Sequence, residues 1–145
     1  MDTKYNLSER LIDFAVAIFK ITAKFPNTVA ANHIAGQIVR SGSSPALHYG
    51  EAQAAESSKD FIHKMKVALK ELRETFNSLR ISRKMSWLPD EEFVWAIDEN
   101  NQLISIFYKS VETAKKNKAN KANKDKTKNS TNKTSDIQNG KNIPL

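Results

Sequence analysis

Residues 57–84 constrain the fold most, because two stripes with helical spacing run along this one stretch. The apolar stripe advances by three or four residues at a time, as one buried face of an α-helix does. It consists of Phe61, Met65, Ala68, Leu72, Phe76 and Leu79. The other stripe, which we call the basic rail, consists of Lys59, His63, Lys66, Lys70, Arg73, Asn77, Arg80 and Lys84. The rail advances alternately by four and three residues, so it is predicted to face outward when the apolar stripe is buried. Ser57, with Asp60 three residues later, fits a capping box at the start of this helix.

The basic rail has more than one interpretation. An exposed helix face usually mixes both charge signs, whereas the acids Glu71 and Glu74 flank the rail rather than lying on it. At about 1.5 Å per residue, the rail is roughly 37 Å long. A basic surface of this length favours contact with a polyanion such as nucleic acid. The alternatives are a solvated face and a face that pairs with another subunit.

The net charge of +7 comes from the C-terminal segment alone. Residues 115–145 hold nine lysines and two aspartates, and the rest of the chain holds equal numbers of basic and acidic residues. Within that neutral part, residues 57–84 carry eight basic and three acidic residues, whereas residues 88–114 carry one and six. Two segments of opposite charge also favour contact with each other, within a subunit or between subunits.

The chain has no cysteine, which excludes disulfides, thiolate metal sites and a cysteine nucleophile. This composition fits a reducing cytoplasm. No signal peptide is visible, and no apolar run approaches the roughly 20 residues that a membrane helix needs. We therefore expect a cytoplasmic protein without a membrane partner.

Two further segments have the pattern of amphipathic helices. The first is predicted from Asn6 or Ser8 to about Phe25, with an apolar seam that repeats every 3.5 residues. That seam is Leu7, Leu11, Phe14, Ile18, Ile21 and Phe25, and Ile12, Val16 and Phe19 widen the apolar arc. The other begins near Pro89. Its predicted seam is Val94, Ile97, Asn101, Ile104, Tyr108 and Val111, with Phe93, Leu103 and Phe107 outside it.

Residues 29–56 predict one more helix, dominated by small side chains. Pro45 interrupts it, because proline lacks the N–H group and clashes with the carbonyl four residues back. Either the helix kinks there and continues, or it stops at Gly42 and restarts with Ser44 as its cap. With no strand alternation anywhere, the chain is predicted to be all-α, an antiparallel four-helix bundle over residues 1–116 with a kinked second helix.

Residues 117–145 differ sharply from the rest in composition. Asn, Lys, Thr and Ser dominate, so the segment cannot bury enough apolar surface to offset the entropy of ordering it. We predict a disordered tail. It either acts as a polycation arm that raises affinity for phosphates or serves only to keep the protein soluble.

The middle of the chain resembles the "four helix bundle protein" family, whose founding members are encoded in intervening sequences of bacterial 23S rRNA genes. The blocks that carry the resemblance are residues 38–44, Tyr49 with Glu51 and Ala52, residues 58–64 and residues 70–75. The match extends over roughly residues 7–114. The chain departs from the family pattern at His48, at Pro45 and at Phe76 with Asn77.

The resemblance implies a left-handed up-down four-helix bundle that assembles into a ring of five, with no known enzyme activity. A relative, the accessory variability protein of diversity-generating retroelements, works with a reverse transcriptase and binds nucleic acid. The expected partners are therefore further copies of this chain, RNA or DNA, and a reverse transcriptase or another protein.

Patterns for catalysis or metal binding are weak. Metal-binding bundles use Glu-x-x-His pairs, whereas His48 and Glu51 are in the reverse order and have no second such pair. With only four glycines, no phosphate-binding P-loop pattern occurs. We expect no catalytic residue, no metal and no cofactor. Glu51 is an acid in a helix of small residues, and Arg40 or Arg73 is its expected partner, with a structural ion pair between Glu51 and Arg40 as the preferred prediction.

The sequence therefore predicts a non-enzymatic, oligomeric scaffold that binds nucleic acid without reading its bases. The predicted contacts are Lys59, Lys66, Lys70, Arg73, Arg80 and Lys84, with His63 joining them when it is protonated. The alternative is a purely structural or protein-binding ring in which the basic helix meets the acidic helix of a neighbour. A weaker alternative is a hydrolase or metal enzyme.

Overall fold

The computed structural model describes residues 6–139, and the side chains of this stretch as far as residue 131. Within these described residues, four α-helices and one short 3-10 helix follow one another. They are α1 (Leu7–Thr22), α2 (Val29–Gln53), α3 (Ser58–Lys84), the 3-10 helix Asp90–Glu92 and α4 (Val94–Asn139). No strand occurs within residues 6–139. The prediction of an all-α chain is therefore confirmed. The chain divides into two units, one ending at Val111 and one beginning at Glu112.

Side-chain caps fix where the first three helices begin. The side chains of Asn6 and Thr28 accept hydrogen bonds from the backbone N–H groups of Glu9 and Ala31, at 3.1 and 3.2 Å. Ser57 accepts from the N–H of Asp60 at 3.0 Å, as the capping box predicts. Each cap satisfies one of the backbone donors that a helix start leaves without a partner.

Four of the six residues of the seam predicted for the first helix are buried, and Leu7 and Phe25 at its two ends are half-buried. Leu11, Phe14, Ile18 and Ile21 are each 8% exposed or less. The helix ends at Thr22, three residues before the predicted end at Phe25. The first unit therefore has a close-packed interface on one side of α1.

The second helix continues through Pro45, which settles the choice between a kinked and a broken helix in favour of continuity. Pro45 is buried. The hydroxyls of Ser43 and Ser44 donate to the carbonyls of Val39 and Arg40 at 2.7 and 2.8 Å, so the serines bond within their own helix around the proline.

The buried face of α4 lies one residue away from the predicted seam. Between Phe93 and the end of the first unit at Val111, the buried residues are Phe93, Ala96, Asn100, Leu103, Phe107 and Val111. Val94 and Tyr108, which belong to the predicted seam, are 59% and 51% exposed, and Asn101 is exposed as well. Among these six residues, only Val111 was predicted in the seam. The buried stripe begins at Phe93, directly after the 3-10 helix, and the ring of Phe93 lies near that of Phe25, with 6.3 Å between ring centroids.

In the second unit, α4 continues as a helix to Asn139, so the predicted disorder is not confirmed for residues 117–139. Residues 140–145 lie outside the described part of the chain. All side chains from Lys115 to Thr131 are exposed, as the polar composition predicts. Lysine and alanine are nevertheless good helix formers. The division of the chain into domains at residue 116 stays a prediction.

Candidate nucleic-acid interface

The basic rail lies on the exposed side of α3. All eight of its residues are exposed. The opposite side packs into the core of the first unit, where Met65, Ala68, Leu72 and Leu79 are 1% exposed or less. Phe61 and Phe76, which belong to the predicted apolar stripe, are half-buried at its edges. The two stripes read from the sequence therefore face opposite directions.

The lysines and arginines of the basic rail form no ion pair with any carboxylate in the described part of the chain. The cations of α3 outside the rail differ from them. Lys64 Nζ lies 2.9 Å from the carboxylate of Glu51, and Arg83 Nε lies 3.4 Å from that of Asp90. Within the described residues, no direct ion pair therefore neutralises the positive charge of the rail.

The two acids that flank the rail are held by Arg40 of α2. Its guanidinium donates to Glu71 Oε2 at 2.8 Å and also pairs with Glu74. These hydrogen bonds, led by the one to Glu74, raise the pKa of Arg40 above its ordinary value. Because Arg40 engages both carboxylates from the α2 side, neither is directed at the cations of the rail.

The predicted ion pair between Glu51 and Arg40 is not formed. The two residues lie eleven positions apart on one continuous helix, which separates them by about 16 Å along its axis. The Glu51 side chain is 54% exposed rather than buried; it pairs with Lys64, and its carboxylate also lies 3.8 Å from His48 Nδ1. The alternative partner, Arg73, lies on the rail and has no carboxylate within salt-bridge distance among the residues described.

Pairing across α2 and α3 shifts the ionisation of Glu51 and Lys64. The hydrogen bond from Lys64, followed by its charge, lowers the pKa of the Glu51 carboxyl. The same contact raises the pKa of Lys64. The sequence did not indicate this pair, because the small residues of its helix favour a buried carboxylate at Glu51, whereas the Glu51 side chain is 54% exposed.

The order of contacts between α2 and α3 is reversed along the two helices. Arg40 meets Glu71 and Glu74, whereas Glu51, further along α2, meets Lys64, which comes earlier on α3. Beside the Arg40 pairs, the buried hydroxyl oxygens of Ser41 and Thr75 lie 2.8 Å apart. Together the contacts fix which side of α3 turns outward, and so position the rail. The up-down order of all four helices and the left hand of the bundle stay predictions.

Aromatic residues near the rail have separate roles. The guanidinium of Arg80 lies over the ring of Phe76, with 5.7 Å from its carbon to the ring centroid. Trp87 packs against Phe25 with 5.4 Å between ring centroids. Trp95 is 50% exposed. Trp87 is thus engaged in aromatic packing.

The described residues contain no group of three or more histidines, aspartates or glutamates close enough to hold a metal ion. None of the helices within this part of the chain combines the length and the apolar character that crossing a membrane requires.

Comparisons with known proteins agree with the fold. The family model for "23S rRNA-intervening sequence protein" matches residues 3–109. A solved structure of a protein of unknown function, from the S23 ribosomal protein family of Bacteroides thetaiotaomicron, is similar with a TM-score of 0.67 and 26% sequence identity. The similarity covers 72% of this chain and 96% of that chain. A search of curated proteins finds no significant match.

Proposed function

The chain belongs to the 23S rRNA-intervening sequence protein family, and we propose that it is a non-enzymatic, oligomeric scaffold that binds nucleic acid through the basic rail. The binding is to the phosphate backbone and does not depend on base sequence. The protein is proposed to act in the cytoplasm, as a bundle with up-down order and a left-handed twist.

One observation carries this proposal: six lysines and arginines lie exposed on one helix face without a carboxylate partner among the residues described. The rail is roughly 37 Å long at about 1.5 Å per residue, and duplex DNA carries one charge per about 1.7 Å of axis, so about 20 phosphates lie within its length. Lysine and arginine bind phosphate oxygens by charge-assisted hydrogen bonds. The exposed lysines of residues 115–131 add further positive charge, which supports sequence-independent affinity.

The experiment compares two double variants in binding to a labelled DNA duplex at low salt. Lys66→Gln with Lys70→Gln removes two charges from the centre of the rail. Lys20→Gln with Lys109→Gln removes two exposed charges elsewhere and is the matched control. We expect roughly tenfold weaker binding for the rail variant, and near wild-type binding for the control. Equal affinities for both variants and the wild type would refute the proposal.

The second candidate function is a structural ring of identical subunits, a pentamer. The observation that favours it is an apolar stripe on α1: Ile12, Val16 and Phe19 are 45%, 43% and 44% exposed. They follow one another at spacings of four and three, so they form one continuous patch. Such a patch on a soluble helix is typical of a protein contact.

Light scattering, with nucleic-acid affinity measured on the same variants, tests the ring and locates its subunit contact. If α1 forms the subunit contact, Val16→Glu lowers the mass of the assembly, whereas Lys20→Glu on the same helix does not. If instead the rail forms the contact, Lys66→Glu with Lys70→Glu breaks the assembly and leaves nucleic-acid affinity unchanged. An unchanged mass in all three variants would count against both versions of the ring.

A further inference from the structure

A surface pocket with three cations lies where α3 ends. It is lined by Arg80, Arg83, Lys84 and Asp90, and its volume is about 390 Å³. The three cations share one side of the helix because positions i, i+3 and i+4 are neighbours on an α-helix. Arg80 and Lys84 belong to the basic rail, whereas Arg83 does not. The pocket thus extends the rail around the end of α3.

The single carboxylate of the pocket neutralises only part of its charge. Arg83 Nε lies 3.4 Å from Asp90 Oδ1, and no other carboxylate of the described residues contacts the three cations. One negative and three positive side chains leave an excess of about two positive charges. The Asp90 side chain is 69% exposed, so it can turn into solvent without breaking a buried contact.

The geometry of the cations suits a phosphate group. Arg83 uses its Nε for Asp90, which leaves its two terminal nitrogens to donate to other oxygens. Arg80 is held over the ring of Phe76, which fixes the position of its guanidinium. The dipole of α3 favours cations at this end of the helix. That preference explains a basic last turn, but it does not explain why three cations share one pocket.

We propose that this pocket binds a phosphate monoester, the doubly charged end of a nucleic-acid strand, and that Asp90 is displaced when the phosphate enters. A monoester carries a charge of about −1.5 to −2 at pH 7, which matches the excess of the pocket, whereas each internal phosphodiester carries only a single charge. This inference rests on the proposed function, and it adds the ends of nucleic-acid strands to the phosphates that the rail binds.

The first test uses the full chain and a small probe, phenyl phosphate, with phenyl sulfate as the singly charged comparison. Calorimetric titration is expected to show that phenyl phosphate binds more tightly than phenyl sulfate. Arg83→Gln is expected to weaken phenyl phosphate binding by roughly tenfold, since it removes a charge-assisted pair of hydrogen bonds. Asp90→Asn should strengthen it severalfold, because the competing carboxylate is lost. Lys84→Gln changes a second exposed cation of the pocket, and it is also expected to weaken phenyl phosphate binding.

The second test uses DNA duplexes with matched numbers of phosphates. One duplex has phosphate at both 5′ ends, and the other has 5′ hydroxyls but is one base pair longer. The wild type is expected to prefer the first, Arg83→Gln is expected to lose this preference, and Lys59→Gln at the far end of the rail is expected to keep it.

The two proposals can fail separately. Phenyl phosphate binding that is no tighter than phenyl sulfate binding, or that survives Arg83→Gln unchanged, would overturn the pocket while leaving the rail intact. Phenyl phosphate binding that responds to Arg83→Gln, in a protein that binds no duplex, would support the pocket as a phosphate site, exclude strand ends as its ligand and refute the rail.

Discussion

The side-chain amide of Asn100 in α4 donates a hydrogen bond to the carbonyl oxygen of Leu72 in α3, with 3.0 Å between nitrogen and oxygen. Both residues are fully buried. The other side-chain atom, Asn100 Oδ1, is buried without a hydrogen-bond partner among the described residues. The hydrogen bond of the amide nitrogen favours a single register of α3 and α4, because it forms only when Asn100 lies opposite Leu72. The oxygen without a partner lowers the stability of the fold.

Replacing Asn100 with aspartate tests this contact. Asn100→Asp places a carboxylate in the core, opposite a carbonyl oxygen, and should lower the free energy of unfolding at neutral pH by about 3 kcal/mol or more. Burial raises the pKa of such a carboxyl, so its cost is absent at low pH and appears as pH rises. Chemical denaturation at two pH values measures this. Asn101→Asp is the control, because residue 101 is exposed. Equal losses for the two variants would contradict the assignment of Asn100 to the core.

Gly42 allows α1 and α2 to approach closely. A Cβ atom at residue 42 would lie 2.9 Å from Ile18 Cγ2 and 3.0 Å from Ile18 Cγ1. Ile18 is fully buried and has little room to move. We therefore expect Gly42→Ala to lower the free energy of unfolding by about 1–3 kcal/mol.

Gly36→Ala is the matched control for this variant. Gly36 lies in the same helix, and a Cβ there would meet nothing within 4 Å. Because alanine is the better helix former, Gly36→Ala should raise stability by about 0.5–1 kcal/mol. Thermal unfolding of both variants gives the comparison, and stabilisation by both substitutions would show that the helices are not in contact at Gly42.

The pair of Glu51 and Lys64 makes stability depend on pH at both extremes. The pKa of the Glu51 carboxyl is lowered from 4.5, so its contribution is present above pH 4.5 and is lost as pH falls through the lowered pKa. The pKa of Lys64 is raised from 10.5, so its contribution is present below pH 10.5 and is lost as pH rises through the raised pKa.

We expect the melting temperature of Glu51→Gln to fall below that of the wild type near neutral pH and to converge with it on acidification. The effect is small, because both side chains are partly exposed. Glu56→Gln is the control, since Glu56 is exposed and has no ion pair within the described residues. A difference between Glu51→Gln and the wild type that persists in strong acid would show that the carboxylate charge is not its source.

The sequence predicted most of the buried faces of α1 and α3, because in each helix the longest apolar stripe at regular spacing is the one that is buried. Around α4, apolar residues occur at Phe93 and Val94 and again at Phe107 and Tyr108, so two stripes offset by one residue fit the same spacing. The stripe that is buried is the one that begins at Phe93, directly after the 3-10 helix. Periodicity within one helix does not contain that information.

The outward position of the rail followed from the sequence, but the partners of the neighbouring charges did not. Pairing Arg40 with Glu71 and Glu74, and Glu51 with Lys64, requires the relative placement of α2 and α3. The pocket at Arg83 and Asp90 depends in the same way on how residues 85–89 turn back toward α3. The sequence did contain one indication of this pocket. The last turn of α3 is basic, and acidic residues follow shortly after it, behind Pro89.

The salt dependence of duplex DNA binding tests the central claim most directly. Each phosphate contact contributes about 0.9 to the slope of log affinity against log salt concentration, so Lys66→Gln with Lys70→Gln should reduce the magnitude of the slope by about 1.8. The double variant at Lys20 and Lys109 should keep the wild-type slope. A rail variant with the slope and the affinity of the wild type would contradict the account, because the basic rail would then make no contact with phosphate.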